Sequence, residues 1–173
     1  MADIYFISDT HFFHDNILKF TDKDGKTIRD FSDVTEMNER MVEKWNARVK
    51  PQDKVYHLGD VACGVKKTSE FTELMYRLNG HLRLMLGNHD NITHPAYKRF
   101  EKIELWTGGK FKDRGFVASH IPLRPDQFRG GEVNVHGHTH QNLVEGPYIN
   151  VCVEHTDYTP VHIDEIIARI NKL

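Results

Sequence analysis

The feature that most constrains this chain is a recurring pattern: an apolar run of strand length that stops abruptly and passes into small and metal-binding side chains. The strand-like run Asp3 to Ser8 ends in Ser8-Asp9-Thr10-His11, Val55-Tyr56-His57-Leu58 runs into Gly59-Asp60, and His81-Leu82-Arg83-Leu84-Met85-Leu86 into Gly87-Asn88-His89-Asp90. Runs with so little polar interruption are those of buried strands. Amphipathic patterns lie between them. Asp33 is placed to cap a helix, with Glu36 three residues on. Val34, Met37, Met41, Trp45 and Val49 then recur at spacings of three and four until Pro51. Thr68 or Ser69 opens another helix, Phe71, Leu74, Met75 and Leu78 face inward, and Asn79-Gly80 closes it. The order is βαβαβα, in which rigid strands aim their end loops at one crevice.

From Ile103 the pattern changes to short strands and tight turns: Ile103 to Thr107, a Gly108-Gly109 turn, a strand around Phe111, then Phe116 to Ser119 leading into His120. Val133 to Val135 leads into His136-Gly137-His138-Thr139-His140, and Tyr148 to Val153 is a further strand. Val161-His162-Ile163 precedes a final helix capped by Asp164, with Ile166, Ile167 and Ile170 inward. His14 to Phe20 and Pro95 to Glu101 read as short helical segments. A mixed sheet system flanked by helices follows, within a single domain over residues 1–173.

Composition narrows the function classes. The net charge of −2 and pI near 6.6 argue against a large sequence-independent nucleic-acid surface. No apolar stretch is long enough to span a membrane. The first residues lack the basic region and the cleavage site of a signal peptide, and two cysteines, Cys63 and Cys152, are too few for a disulfide framework. A cytoplasmic protein with reduced thiols is expected.

Histidine stands out: there are 12, several of them clustered beside Asp and Asn at strand ends. Asp9, His11, Asp60, Asn88, His120, His138 and His140 make a set of carboxylate, amide and imidazole donors without thiolate. Each alone is an ordinary turn or strand residue; their joint occurrence at successive strand ends points to metal. Such donors suit Mn, Fe, Co, Ni or Zn rather than a closed structural zinc site. Seven ligands are too many for one ion and fit two sharing a carboxylate, an arrangement suited to phosphoryl chemistry at a separation of about 3.5–4 Å. Asp9 and His11, and likewise His138 and His140, are two residues apart, so in an extended segment their side chains point the same way.

In this order, Asp9-x-His11, Gly59-Asp60, Gly87-Asn88-His89-Asp90, His120 and Gly137-His138-x-His140 resemble the calcineurin-like metallophosphoesterase superfamily, and in particular its compact bacterial and phage members without an accessory domain. The resemblance implies an α/β (α+β) four-layer αββα sandwich, two packed mixed β-sheets flanked by helices. It also implies two divalent transition metal ions, Mn first and Fe, Ni, Co or Zn as alternatives. Asp9, His11, Asp60 and His140 would hold one ion, and Asp60, Asn88, His120 and His138 the other, with Asp60 bridging. His89 would assist the leaving oxygen, and Asp90 would orient His89 by accepting its other N–H.

The implied function is phosphate ester hydrolysis by a metal-bridging hydroxide. A phosphodiesterase is favoured, since an open site accommodates two substituents on phosphorus. The alternatives are a phosphomonoesterase acting on a nucleotide or phosphoprotein, a nuclease, and a catalytically silent protein-binding scaffold. The expected partner is a small phosphoester, nucleotide-derived or otherwise. His14, Arg124 and Arg129 are the candidate substrate-binding residues, with Arg29 and Asn38 as further candidates, and His57 is expected to be buried support.

Overall fold

The computed structural model describes residues 2–65, 68–111 and 114–172. Two mixed sheets with helices form an α/β fold. In the five-stranded sheet, β1 (Ile4–Ile7), β2 (Lys54–His57), β3 (His81–Met85) and β4 (Phe100–Glu104) run parallel, and β9 (Val161–His162) pairs antiparallel with β1. The second sheet orders β5 (Trp106–Phe111), β6 (Arg114–Ser119), β7 (Val133–His136) and β8 (Tyr148–Asn150), parallel except for β5 against β6.

The middle strands β1, β2 and β3 of the first sheet send side chains into a core on each face, which is why their runs are mostly apolar, while the edge strand β4 is largely exposed. Tyr5, Ile7, Val55, Leu82 and Leu84 pack with Met37, Met41 and Trp45 of α1 (Val34–Arg48) and Phe71, Leu74 and Met75 of α2 (Thr68–Arg77). Phe6, Leu58 and Met85 face the other way, into a second core shared with Phe116, Ala118, Val133, Val135 and Ile149 of the second sheet. Ile166 and Ile170 of α3 (Ile163–Ile170) join that core. Period-two alternation thus sends neighbouring residues of one strand into two different cores.

Local rules hold at α1, where the Asp33 carboxylate accepts from the Glu36 amide at 2.8 Å. Three expectations shift. Gly108 and Gly109 are not a turn; they lie within β5, paired with Val117 and Phe116, because the β6 ladder satisfies their backbone and Phe111 stacks on Phe116. The cap of α3 is His162, not Asp164: its Nδ1 accepts from the Asp164 amide, and Glu165 completes the box. The segments after His14 and Pro95 are 3-10 turns, Asp15–Lys19 and Pro95–Arg99. Lys66 and Lys67, beside the expected cap of α2, lie outside the described residues.

Candidate metal centre

The ligand loops are zipped to one another. Beyond β1 and β2 the parallel pairing continues: Asp9 N–H donates to Gly59 O, His11 N–H to Asp60 O, and Phe12 N–H to Val61 O, all at 2.9–3.0 Å. Gly137 N–H donates to His120 O in the second sheet, and Ser8 bridges to Cys152, tying the two sheets together at the site. Asp9, His11, Asp60, His138 and His140 all have left-handed backbone, with φ between 47° and 67°. The i, i+2 pairs are therefore not extended. Each such residue carries about 1 kcal/mol or more of strain, held by the ladder bonds.

Gly59 makes the approach of the loops possible. Its φ is +95°, and a Cβ there would lie 2.7 Å from Gly87 N and from Nδ1 of His120.

Two donor clusters result. Asp9, His11 and His140 form one; Asp60, His120 and His138 form the other. A single oxygen stands between them: Asp60 Oδ2 is 3.6 Å from Nε2 of His11 and 3.6 Å from Nε2 of His120. Asn88 Oδ1 is 3.0 Å from His120 Nε2, and His138 Nδ1 is 3.2 Å from that same nitrogen.

The donor chemistry fits cations. His120 Nδ1 lies 2.8 Å from Leu58 O and donates to it, which leaves Nε2 turned towards Asn88 Oδ1, His138 Nδ1 and Asp60 Oδ2. Asp9 Oδ1 is buried with no hydrogen-bond partner among the described residues, yet sits 3.8 Å from Nε2 of both His11 and His140. The ring nitrogens of His11, 2% exposed, are likewise unpartnered. Buried acceptors left unpaired are costly unless a cation completes them.

The remaining atoms of Asp9 and His140 are occupied. Asp9 Oδ2 accepts from Ser8 Oγ, the His138 amide and Cys152 Sγ at 2.5, 2.8 and 3.2 Å. Burial works to raise the Asp9 pKa, but the nearby His11 and His120 rings and the Ser8 hydroxyl outweigh it and hold it well below the usual carboxylate range. His140 Nδ1 bonds Glu154 Oε1 at 3.0 Å. Burial lowers the His140 pKa, but Glu154 overrides this and raises it. The same Glu154 oxygen accepts from Arg29 Nε and NH2 at 2.9 and 2.7 Å.

Arg29, considered above as a substrate contact, is fully buried and also donates to the carbonyls of Asp9 and Thr10. It braces the loop of Asp9 from behind. Asn38 is buried and holds the Phe13 amide. Asp90 does not reach the His89 ring: its oxygens accept from the amides of Asp60, Val61 and Gly87 and from Tyr97 OH at 2.7–3.0 Å. It therefore fixes the backbone of the Asp60 and Asn88 loops. His89 is exposed, its amide bonded to Asp60 Oδ1 at 2.9 Å and its Nδ1 3.6 Å from Cys63 Sγ.

His14 packs beside His11 with ring centroids 5.4 Å apart, and burial, then the neighbouring histidines and Arg29, lower its pKa to about 4. The Arg124 guanidinium bonds Asp126 in solvent and the Arg129 amide donates to Glu132. His57 is buried as expected, accepting from the Gly59 amide and meeting Thr10 Oγ1 at 3.0 Å. Glu154 was missed in the sequence, although it directly follows a strand-like run, the same signal that marked the ligands. Arg29 sits in a polar stretch that carries no signal.

Two cavities flank the clusters. One, about 200 Å³, borders His89 with Phe71, His94 and Tyr97; the other, about 470 Å³, borders His138 and His140 with Ile17, Phe20 and Ile28.

A family model described as calcineurin-like phosphoesterase matches residues 2–149. An uncharacterized protein of Methanocaldococcus jannaschii is 37% identical over 180 residues, covering 99% of this chain and 93% of that protein. The gene 66 protein of Mycobacterium phage D29 is 26% identical, covering 100% of this chain and 98% of its own length. Among solved structures, a protein of unknown function from Aquifex aeolicus superposes with a TM-score of 0.76 at 27% identity, covering 97% of this chain and 99% of that one.

Proposed function

This chain belongs to the calcineurin-like phosphoesterase family, and we propose that it is a two-metal phosphodiesterase. The observation that carries the reading is Asp60 Oδ2, equidistant at 3.6 Å from a histidine of each donor cluster. Asp9, His11, Asp60 and His140 would hold one divalent ion, and Asp60, Asn88, His120 and His138 the other, with Mn the first choice for these oxygen and imidazole donors. When bound, the pair supplies an acidified water as nucleophile and positive charge against the phosphoryl oxygens.

The protein's own groups do the rest. His89 stands exposed at the rim, placed to give a proton to the departing oxygen. Asp90 holds the backbone from which Asp60, Asn88 and His89 project. Glu154 fixes the His140 tautomer so that Nε2 faces Asp9. Separate cavities, one bordering His89 and the other His138 and His140, support a diester, whose two substituents leave phosphorus in different directions.

The test is the rate on bis-p-nitrophenyl phosphate against p-nitrophenyl phosphate with Mn2+. The diester should turn over faster, and a chelator should abolish both rates until Mn2+ is restored. A faster monoester makes the protein a phosphomonoesterase. Turnover that survives chelation refutes the metal reading.

A further inference from the structure

A chemically different donor set stands at the rim of the centre. Cys63 Sγ, a ring nitrogen of His14 and a ring nitrogen of His11 all lie within 4.8 Å of one another. His11 is 2% exposed, and neither of its ring nitrogens has a hydrogen-bond partner among the described residues. Nδ1 of His14 is also buried without a partner. Cys63 is half-buried, with His89 Nδ1 3.6 Å from its sulfur. The other cysteine, Cys152, is wholly buried against Asp9.

We propose that Cys63, His14 and His11 form a rim site for a thiophilic divalent cation of the Zn2+ class, distinct from the pair of ions proposed for catalysis. Thiolate with imidazole selects zinc over manganese, whereas the donors of the main centre are oxygen and imidazole only. The bond forms between Sγ and the ion, and the thiol proton passes to solvent. An ion held there draws on His11, which the main centre also uses, and lies against His89. Zinc in excess of the main centre's need therefore acts as a brake on hydrolysis. That last consequence rests on the phosphodiesterase reading; the binding itself does not.

The experiment titrates the Mn2+-loaded full chain with Co2+ as the probe. A thiolate-to-cobalt charge-transfer absorption should rise and saturate at one equivalent, and Zn2+ should displace it. Cys63→Ser should abolish the band, and His14→Gln should weaken cobalt binding at least about tenfold. Zn2+ should also slow alkylation of Cys63 in the unaltered chain, which needs no variant to fold. In the diester assay, Cys63→Ser should shift inhibition by Zn2+ to at least about tenfold higher concentration. Absence of the band, its survival in Cys63→Ser, undiminished affinity in His14→Gln, or alkylation indifferent to Zn2+ would each overturn the site. A band that behaves as expected in a chain without turnover would uphold the site and defeat the phosphodiesterase reading instead.

Discussion

At the scale of single residues, one oxygen and one carboxylate behind it matter most. Asp60 Oδ2 faces both donor clusters, so Asp60→Asn should lose both ions together, measured as metal content after dialysis; loss of one alone would contradict a bridge. Glu154 is that carboxylate. It holds His140 and neutralises Arg29. Glu154→Gln should weaken metal binding about 10–100-fold, read by chelator competition, without unfolding the chain. His89→Ala should retain metal content and lower turnover of the diester about 10²–10⁴-fold. Activity near that of the unaltered chain would remove His89 from the proposed chemistry.

At the scale of elements, the site is built by strand pairing that outlasts the strands. The loops after β1 and β2 remain bonded through Asp9, His11 and Phe12, and the loops after β6 and β7 through Gly137. The ligands then need left-handed backbone to turn their side chains inward, and Gly59 lets the third loop approach. Gly59→Ala should combine backbone strain with a contact the neighbours cannot yield to, lowering stability by about 2–4 kcal/mol in urea titration and reducing metal content. Asp33→Ala, at the exposed cap of α1, should lower stability by about 1 kcal/mol and leave metal content unchanged. The contrast separates a helix that supports the sheet from loops that shape the site.

At the scale of the whole molecule, the buried histidines couple stability to pH. His57 is fully buried; desolvation dominates over the nearby carboxylates and lowers its pKa to about 4. The unfolded chain, with an ordinary histidine pKa near 6.5, binds that proton first. Stability is therefore full above about pH 6.5 and falls as pH drops towards 4, by about 3 kcal/mol from this group alone. Urea midpoints of the chelated protein between pH 7 and pH 4 measure it, and His57→Gln should flatten part of the slope. Among the described residues no helix is long and apolar enough to cross a membrane.

The sequence by itself determined the buried strands, the faces of α1 and α2, and the candidate donors, because each is written in local spacing: apolar runs, three-and-four periodicity, and side chains that immediately follow a strand. It did not determine how those donors divide. His138 and His140 are neighbours in sequence and belong to different clusters. Both have left-handed backbone, and they lie where the bridge of Ser8 to Cys152 ties the two sheets together. Arg29 and Glu154 became bracing groups for the same reason, their ion pair joining residues far apart in the chain. Asp90 became the anchor of a backbone because three amides and a tyrosine converge on it in space. Spacing names the candidate ligands; only the packing of the sheets decides which of them stand together and which side chains hold the loops still.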